Sequence, residues 1–384
     1  MILTKGQEEA IKVCVERYRN KEPFTVIAGP AGSGKSTVVQ YIVEALNIAE
    51  DNVVMATFTG KASMVLREKG CKNAMTLHKL LYIPKKIPGT DDVEFIPRDC
   101  FTCDPKLIVV DEASMVSKEL FDLLLKHHVH IIFLGDNAQL PAIGDNAHIL
   151  DNPHVVLTEI TRQALDSPII RLSMDIREGK PLIYGGPKEA KIIPRSKVSP
   201  KLLLGADIVL CGRNSTRRWL NNEIRKLKWG EAYQEGPLEG DKLICLKNYW
   251  DITDTTEETP LLNGSIGTIS KIKTQDTKLL KPKLTARFTD EVGNIFTKGK
   301  FNIDYQLLTT GEPTVNNDNY MMFYKVQRPS LFSYAYSITT WKGQGSEFDK
   351  VLIFDDGFPY DKESHQKFLY TSVTRASKQC ILIL

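Results

Sequence analysis

The sequence predicts an α/β fold built on a parallel sheet, and three observations support this. Short apolar runs at residues 24–28, 53–57, 107–111 and 130–134 alternate with segments of helical spacing, and 155–157 offers a fifth run. Polar motifs follow these runs, at the carboxyl ends of the expected strands, which is where the ligands of such sheets gather. The chain has 384 residues, more than one hydrophobic core usually supports, so two or more domains are expected.

Composition narrows the class. The formal net charge is +3 with both signs balanced, which permits nucleic-acid binding through local basic patches without requiring it. Seven cysteines are scattered through the chain, and no signal-like start or run of roughly 18 apolar residues is present, so an intracellular protein without membrane partners is expected. Cys100 and Cys103 form one C-x-x-C with no second pair at zinc spacing, and they are read as free thiols.

The first strand runs into "VIAGPAGSGKSTVVQ" (26–40), which matches G-x-x-x-x-G-K-[ST] from Gly29 to Ser36. In that motif the backbone N–H groups of a glycine-rich loop point inward at phosphates, and here the loop is Gly29, Pro30, Ala31, Gly32, Ser33 and Gly34, with Pro30 contributing no N–H. Lys35 reaches the outer phosphates, and the Ser36 hydroxyl, followed by Thr37, ligates Mg²⁺. Val38, Val39, Ile42, Val43 and Leu46 then recur at helical spacing, so the phosphates meet a helix N-terminus. The loop implies a nucleoside triphosphate and leaves open what its hydrolysis drives.

"VVDEAS" (109–114) closes the third run with an acidic pair. Asp111 is placed to hold Mg²⁺ and Glu112 to polarise the attacking water. "FLGDNAQLP" (133–141) closes the fourth, and its Gln139 is placed to hydrogen-bond the γ-phosphate or that water.

With G-D-x-x-Q in place the chain resembles superfamily 1 helicases, and the Leu-Pro continuation resembles their RecD/Dda branch (superfamily 1B), which translocates 5′ to 3′ on single-stranded DNA. The resemblance runs nearly end to end. It implies that Gln7 in "LTKGQEEAI" reads adenine, and that "ATFTGKAS" (56–63), with Thr57, Thr59 and Lys61, contacts DNA, as does His78 of "TLHKLL" (76–81). It implies that Arg162 of Thr161-Arg162-Gln163 meets the γ-phosphate. Asn214, in the turn and helix at 212–225, is assigned to DNA on the same ground. In "YAYSITTWKGQGSEFDKVLI" (334–353), Thr339, Thr340, Trp341 and Lys342 suit a DNA strand, while Gln344, Gly345 and Glu347 lie where the family links nucleotide to strand. "LYTSVTRAS" (369–377) supplies Arg375 as an arginine finger. Base stacking is assigned to His78, Tyr82 and Trp341.

The implied architecture is two RecA-like P-loop domains with parallel sheets. The first spans 1–166 and carries a β-hairpin pin at about 83–103. The second spans 167–232 and 334–384. An inserted SH3-like β-barrel occupies 233–333, where alternating runs such as "KLICL" and "KLTARF" are separated by turns at Asn263-Gly264 and 290–294. The pin is expected to present Phe95, or else Phe101, to the terminal base pair. ATP and Mg²⁺ are the implied cofactors. Single-stranded DNA, duplex junctions and replisome or single-strand-binding proteins are the implied partners, and one chain carries the motifs needed to act as a monomer. Two other readings share part of the pattern: a P-loop ATPase or GTPase not acting on nucleic acid, and an RNA-dependent superfamily 1 helicase, since contacts to the 2′ position are set by no motif here.

Overall fold

Two runs without a polar face, Leu107–Val110 and His130–Gly135, are buried at every position, and strands covered on both faces belong in the middle of a parallel sheet. The computed structural model describes residues 3–68, 70–86, 93–141, 144, 146–255, 260–277, 280–291, 293–296, 302–303, 307–308 and 331–384. In it these runs are the central strands of a six-stranded sheet. Its members are β1 (Phe24–Ala28), β2 (Val53–Thr57), β3 (Ala74–Thr76), β6 (Leu107–Val110), β7 (His130–Gly135) and β8 (Val155–Val156), with β4 (Tyr82–Lys86) and β5 (Val93–Pro97) forming a separate hairpin between β3 and β6. The order is β3-β2-β6-β7-β1-β8 and every pairing is parallel. All five runs read from the sequence are present. The three-residue β3 is too short to show a period in the sequence.

Helices α1 (Lys5–Arg19) and α2 (Lys35–Leu46) cover one face of this sheet. Ala10, Cys14, Val38, Val39 and Ile42 pack with Ile27, Val109 and Ile132 in one apolar cluster. α1 starts with a capping box: Thr4 Oγ1 accepts from Gln7 N and Gln7 Oε1 accepts from Thr4 N.

By contacts the chain divides into two units, Met1–Ile83 with Pro97–Lys197 and Gly343–Leu384, and Pro84–Ile96 with Val198–Lys342. The first unit therefore takes in three parallel strands from segments assigned to a second domain, Ala190–Ile193, Ala376–Ile383 and Phe348–Phe354, which pair in that order. It also holds the helices Pro168–Arg177 and Lys362–Val373. These helices are joined by Gln366, whose Nε2 donates to the carbonyls of Ile176 (2.7 Å) and Arg177 (2.8 Å).

In the second unit Ile208–Cys211 and Ser337–Thr339 pair in parallel, with Cys211 opposite Thr339. The rest is antiparallel. Lys242–Cys245, Ile266–Thr277, Leu280–Asp290, Ile295–Phe296, Asn302–Ile303 and Phe332–Tyr334 form one sheet around a core of Leu243, Ile269, Phe288, Phe296 and Phe332. The turns expected from the sequence are in place. Gly264 has φ +86°, and Asp290 Oδ1 accepts from Asn294 N at 2.8 Å.

One buried carboxylate ties this unit together. Asp241, fully buried, accepts from Arg225 Nη2 (3.0 Å), Trp229 Nε1 (2.9 Å), Leu238 N (2.8 Å) and Tyr336 Oη (2.9 Å). Arg225 also lies 4.0 Å from the centroid of the Tyr334 ring. Removing one member of a buried pair leaves the other charge uncompensated. Asp241→Ala is expected to lower stability by about 3–5 kcal/mol, measured by chemical denaturation; a loss under about 1 kcal/mol, the size of a surface ion pair, would show that the carboxylate is not the organiser.

Candidate nucleotide site

The loop between β1 and α2 is shaped by its glycines. Gly32 and Gly34 both have φ +79°, a left-handed conformation that costs other residues about 1–2 kcal/mol. A Cβ at Gly32 would come within 2.7 Å of Ala164 Cβ, and one at Gly34 would run into Gln7 Nε2. Ser33 Oγ closes the turn on Pro30 O at 2.9 Å. Lys35 Nζ folds over the loop and donates to Gly29 O (2.6 Å) and Pro30 O (3.0 Å). Ser36 and Thr37 begin α2, with the Ser36 side chain exposed.

Gln7, which the family pattern assigns to adenine, is closed onto this loop. Its Nε2 donates to Ser33 O at 3.0 Å while its Oε1 serves the α1 cap, and the residue is 4% exposed. Both ends of its amide are therefore engaged within the protein.

Asp111 and Glu112 end β6 as expected. Glu112 sits at φ +56°, which is strained for a side-chain-bearing residue, and turns the chain into the Ala113–Met115 turn. Asp111 Oδ1 accepts from Glu112 N at 2.9 Å. Burial and then the Glu112 carboxylate push the Asp111 carboxyl above its ordinary range, with the Glu112 N–H bond, Lys35 and Arg375 pulling the other way. Two adjacent carboxylates and a hydroxyl are hard oxygen donors of the kind Mg²⁺ takes, so Asp111 and Ser36 fit the ion.

Arg375 arrives from the far end of the chain. It is 6% exposed, and its Nη1 donates to Glu112 Oε1 at 3.1 Å. Gln139 completes the triangle when its amide is assigned with oxygen and nitrogen exchanged, the orientation that satisfies both neighbours: Nε2 then donates to Glu112 Oε2 (2.9 Å) and Oε1 accepts from Arg375 Nη2 (3.2 Å). The predicted base, water-orienting amide and arginine finger are thus one hydrogen-bonded group. A second layer links the same segments. Leu140 N donates to Thr371 Oγ1 (2.8 Å) and Gln344 Nε2 to Leu140 O (2.7 Å). Asp136, 1% exposed, is held by Tyr370 Oη and Arg177 Nη1, each at 2.5 Å. Tyr370, Asp136 and Arg177 received no role from the sequence. The signal available was a phenol and a carboxylate inside two motifs, and only the fold shows that they meet.

The remaining assigned residues are more dispersed. Arg162 begins the short helix Arg162–Leu165, and Lys61 lies on the helix Gly60–Glu68. Thr59 Oγ1 donates to Gly345 O at 3.4 Å, and Gly345 has φ +70°. Glu347 is exposed. Thr57 is buried with its hydroxyl on Thr59 O, and in the second unit Thr339 and Thr340 are buried too, so these three hydroxyls do not lie on the surface expected of DNA contacts. Asn214 and Lys342 are exposed and Trp341 is half-buried. His78 stacks on Tyr82 (5.8 Å between centroids), but Tyr82 is buried with its hydroxyl on Glu119, which leaves little of its ring for a base. Phe95 is half-buried on β5. Phe101 stacks on His127 at 4.0 Å and so packs within its own unit. The hairpin tip, with Pro88-Gly89 and Thr90-Asp91-Asp92, lies outside the described residues.

A phosphate loop, a strand-end acidic pair and an arginine brought to them by a distant segment are the parts from which P-loop nucleoside triphosphatase sites are built. The AAA domain family matches residues 2–189, and the UvrD-like helicase C-terminal domain family matches 334–383. The chain is 31% identical over 194 residues to the ATP-dependent DNA helicase Dda of enterobacteria phage T4, covering 46% of this chain and 43% of Dda. It is 29% identical over 383 residues to the ATP-dependent RecD2 DNA helicase of Deinococcus radiodurans, covering 92% of this chain and 46% of RecD2. It thus spans less than half the length of either relative. Among solved structures, Bacteroides Pif1 bound to single-stranded DNA shares the fold, with a TM-score of 0.53 at 18% identity over 100% of this chain and 92% of that one. The chain is thus similar in sequence to the DNA helicases Dda and RecD2, and in fold to Pif1.

Proposed function

We propose that this chain is an ATP-dependent DNA helicase that moves 5′ to 3′ along single-stranded DNA and unwinds duplexes. The observation that carries the reading is the Glu112–Gln139–Arg375 triangle, because it joins a water-activating carboxylate to groups from two other helicase motifs. The relatives Dda and RecD2, both named as ATP-dependent DNA helicases, support it.

In hydrolysis Lys35 leaves the Gly29 and Pro30 carbonyls for the outer phosphates of ATP, which are stronger acceptors. Arg375 moves from Glu112 to the γ-phosphate, joined by Arg162, and this frees the Glu112 carboxylate to take a proton from the attacking water that Gln139 orients. Ser36 and Asp111 would hold Mg²⁺, and the ion would supply charge neutralisation at the phosphate oxygens. Pairing Arg375 with Glu112 keeps the base occupied until the finger is drawn away, so turnover depends on the position of the C-terminal segment. DNA acts on that position. Thr59 and the Gly345 carbonyl connect the strand-binding segments, and Lys61, Asn214 and Lys342 contact phosphates without reading sequence.

The domain reading is two RecA-like halves, 1–166 and 167–232 with 334–384, plus an SH3-like barrel at 233–333, which the antiparallel sheet around Phe288 supports. The β4–β5 hairpin is the pin, with Phe95 as the residue that stacks on the fork. The protein acts as a monomer, since one chain carries the whole triangle.

Duplexes with a 5′ single-stranded tail are expected to be unwound and those with only a 3′ tail are not; efficient unwinding from 3′ tails alone would contradict the assigned polarity, and equal activity on RNA tails would point to the RNA-dependent relative. Arg375→Ala is expected to keep nucleotide binding and to lose about 10³-fold or more of DNA-stimulated hydrolysis, read by steady-state phosphate release. Phe95→Ala is expected to impair unwinding while sparing single-strand translocation and DNA-stimulated hydrolysis; parallel loss of all three would mean that Phe95 holds the fold instead.

A further inference from the structure

A fully buried phenol touches the phosphate loop, and no step of hydrolysis uses it. Tyr370 Oη accepts from Ala31 N at 3.1 Å and donates to Asp136 Oδ2 at 2.5 Å. Ala31 is the third residue of the Gly29–Ser36 motif, and the N–H groups of that motif are the ones a bound phosphate recruits. Asp136 is itself fixed from two further directions, by Arg177 Nη1 at 2.5 Å and by Ala138 N at 3.1 Å. Burial and then the Asp136 carboxylate push the Tyr370 hydroxyl well above its ordinary range, so it stays a proton donor to Asp136 at any working pH. The bond direction is thereby set: the loop donates to the phenol and the phenol donates to Asp136.

We infer that Tyr370 is a positioning residue whose hydroxyl, held between Ala31 N–H and Asp136, passes the occupancy of the phosphate loop to the 136–140 segment and the C-terminal helix. The inference rests only on the part of the proposed function in which ATP occupies the loop. A phosphate oxygen carries charge and outcompetes a phenol for the Ala31 N–H. The hydroxyl then loses its only donor from the loop, so the bound and unbound loops differ in one contact to the helix, and a ligand shifts a conformation only through such a difference. Tyr370 stands one residue before Thr371, which holds Leu140 N, and on the same segment as Arg375, which holds Glu112 and Gln139. A displacement at Tyr370 therefore reaches the finger through one rigid helix end. Gln366, anchored on Ile176 and Arg177, supplies the fixed point. An open surface pocket of about 510 Å³ bordered by Asn137, Arg177, Gln366 and Tyr370 lies beside the group.

The test is hydrogen–deuterium exchange with and without ADP–aluminium fluoride, on the whole chain and its Tyr370→Phe variant. In the wild-type chain the nucleotide is expected to slow exchange at 29–37 and to change it by about twofold or more at 136–140 and 362–375. In Tyr370→Phe the protection at 29–37 remains, nucleotide affinity stays within about twofold of the wild type, and the change at the two distant segments is lost. Persistence of that change in Tyr370→Phe overturns the inference and leaves the proposed function standing. No protection at 29–37 in the wild type overturns both. Because the variant removes a buried hydrogen bond, 3-fluorotyrosine at position 370 provides a reading in the intact network. Its ¹⁹F resonance is expected to shift when nucleotide binds, and an unmoved resonance in a chain whose 29–37 segment is protected also overturns the inference.

Discussion

The site in the first unit depends on one guanidinium held against one carboxylate. Arg375 and Glu112 are 263 positions apart in sequence, and their 3.1 Å contact requires the segment after the Lys362–Val373 helix to lie over the end of β6. With Arg375 almost fully buried, this is not a surface ion pair of small value. It survives because further bonds engage the guanidinium: Nε donates to Thr371 O (3.2 Å) and Nη2 to Thr374 Oγ1 (3.1 Å), while Gln139 faces both partners, and a buried pair is stable only when such bonds are complete. Thr371 on Leu140 and Tyr370 on Asp136 repeat the same connection about one helical turn back along the chain, so the phosphate loop, the Asp136–Leu140 segment and the C-terminal helix share one polar network.

The concentration of carboxylates gives that network its chemical meaning. Asp111 and Glu112 are adjacent, partly buried and mutually repelling, and Asp111 is driven toward protonation by burial and by its neighbour. Lys35 and Arg375 reduce this cost, and a divalent cation would remove more of it. The left-handed Glu112 is part of the same design. An ordinary extended residue would continue the strand, whereas φ +56° at Glu112 breaks the chain away from it there, and the carboxylate stands between Gln139 and Arg375. Strain of this kind persists where the surrounding contacts over-determine it.

The second unit solves a different problem. Its antiparallel sheet has one apolar face, and a small sheet needs something besides that face to orient the helix beside it. The helix Asn214–Trp229 delivers Arg225 and Trp229 to Asp241, just before the first strand of the sheet, and Tyr336 reaches the same carboxylate from the chain that leaves it. Entry and exit of the inserted sheet are thereby fastened at one buried point.

Local chemistry made much of this protein legible in its sequence. The phosphate loop was readable because left-handed turns demand glycine and the following lysine and serine have no packing reason to be there. The central strands were readable because β6 and β7 are apolar at nearly every position, and the turns at Gly264 and Asp290 because their residues favour those conformations. Tertiary structure alone decided which polar side chains serve packing and which serve the site. Gln7 closes on Ser33, Tyr82 on Glu119 and Thr57 on Thr59, although each looked available to a ligand. Tyr370 carried no assignment from the sequence, yet it touches the phosphate loop 339 positions away. The reason is physical. Backbone conformation and hydrophobic period are set within a few residues, whereas a buried hydrogen bond is specified by two groups that meet only after the chain has folded around them.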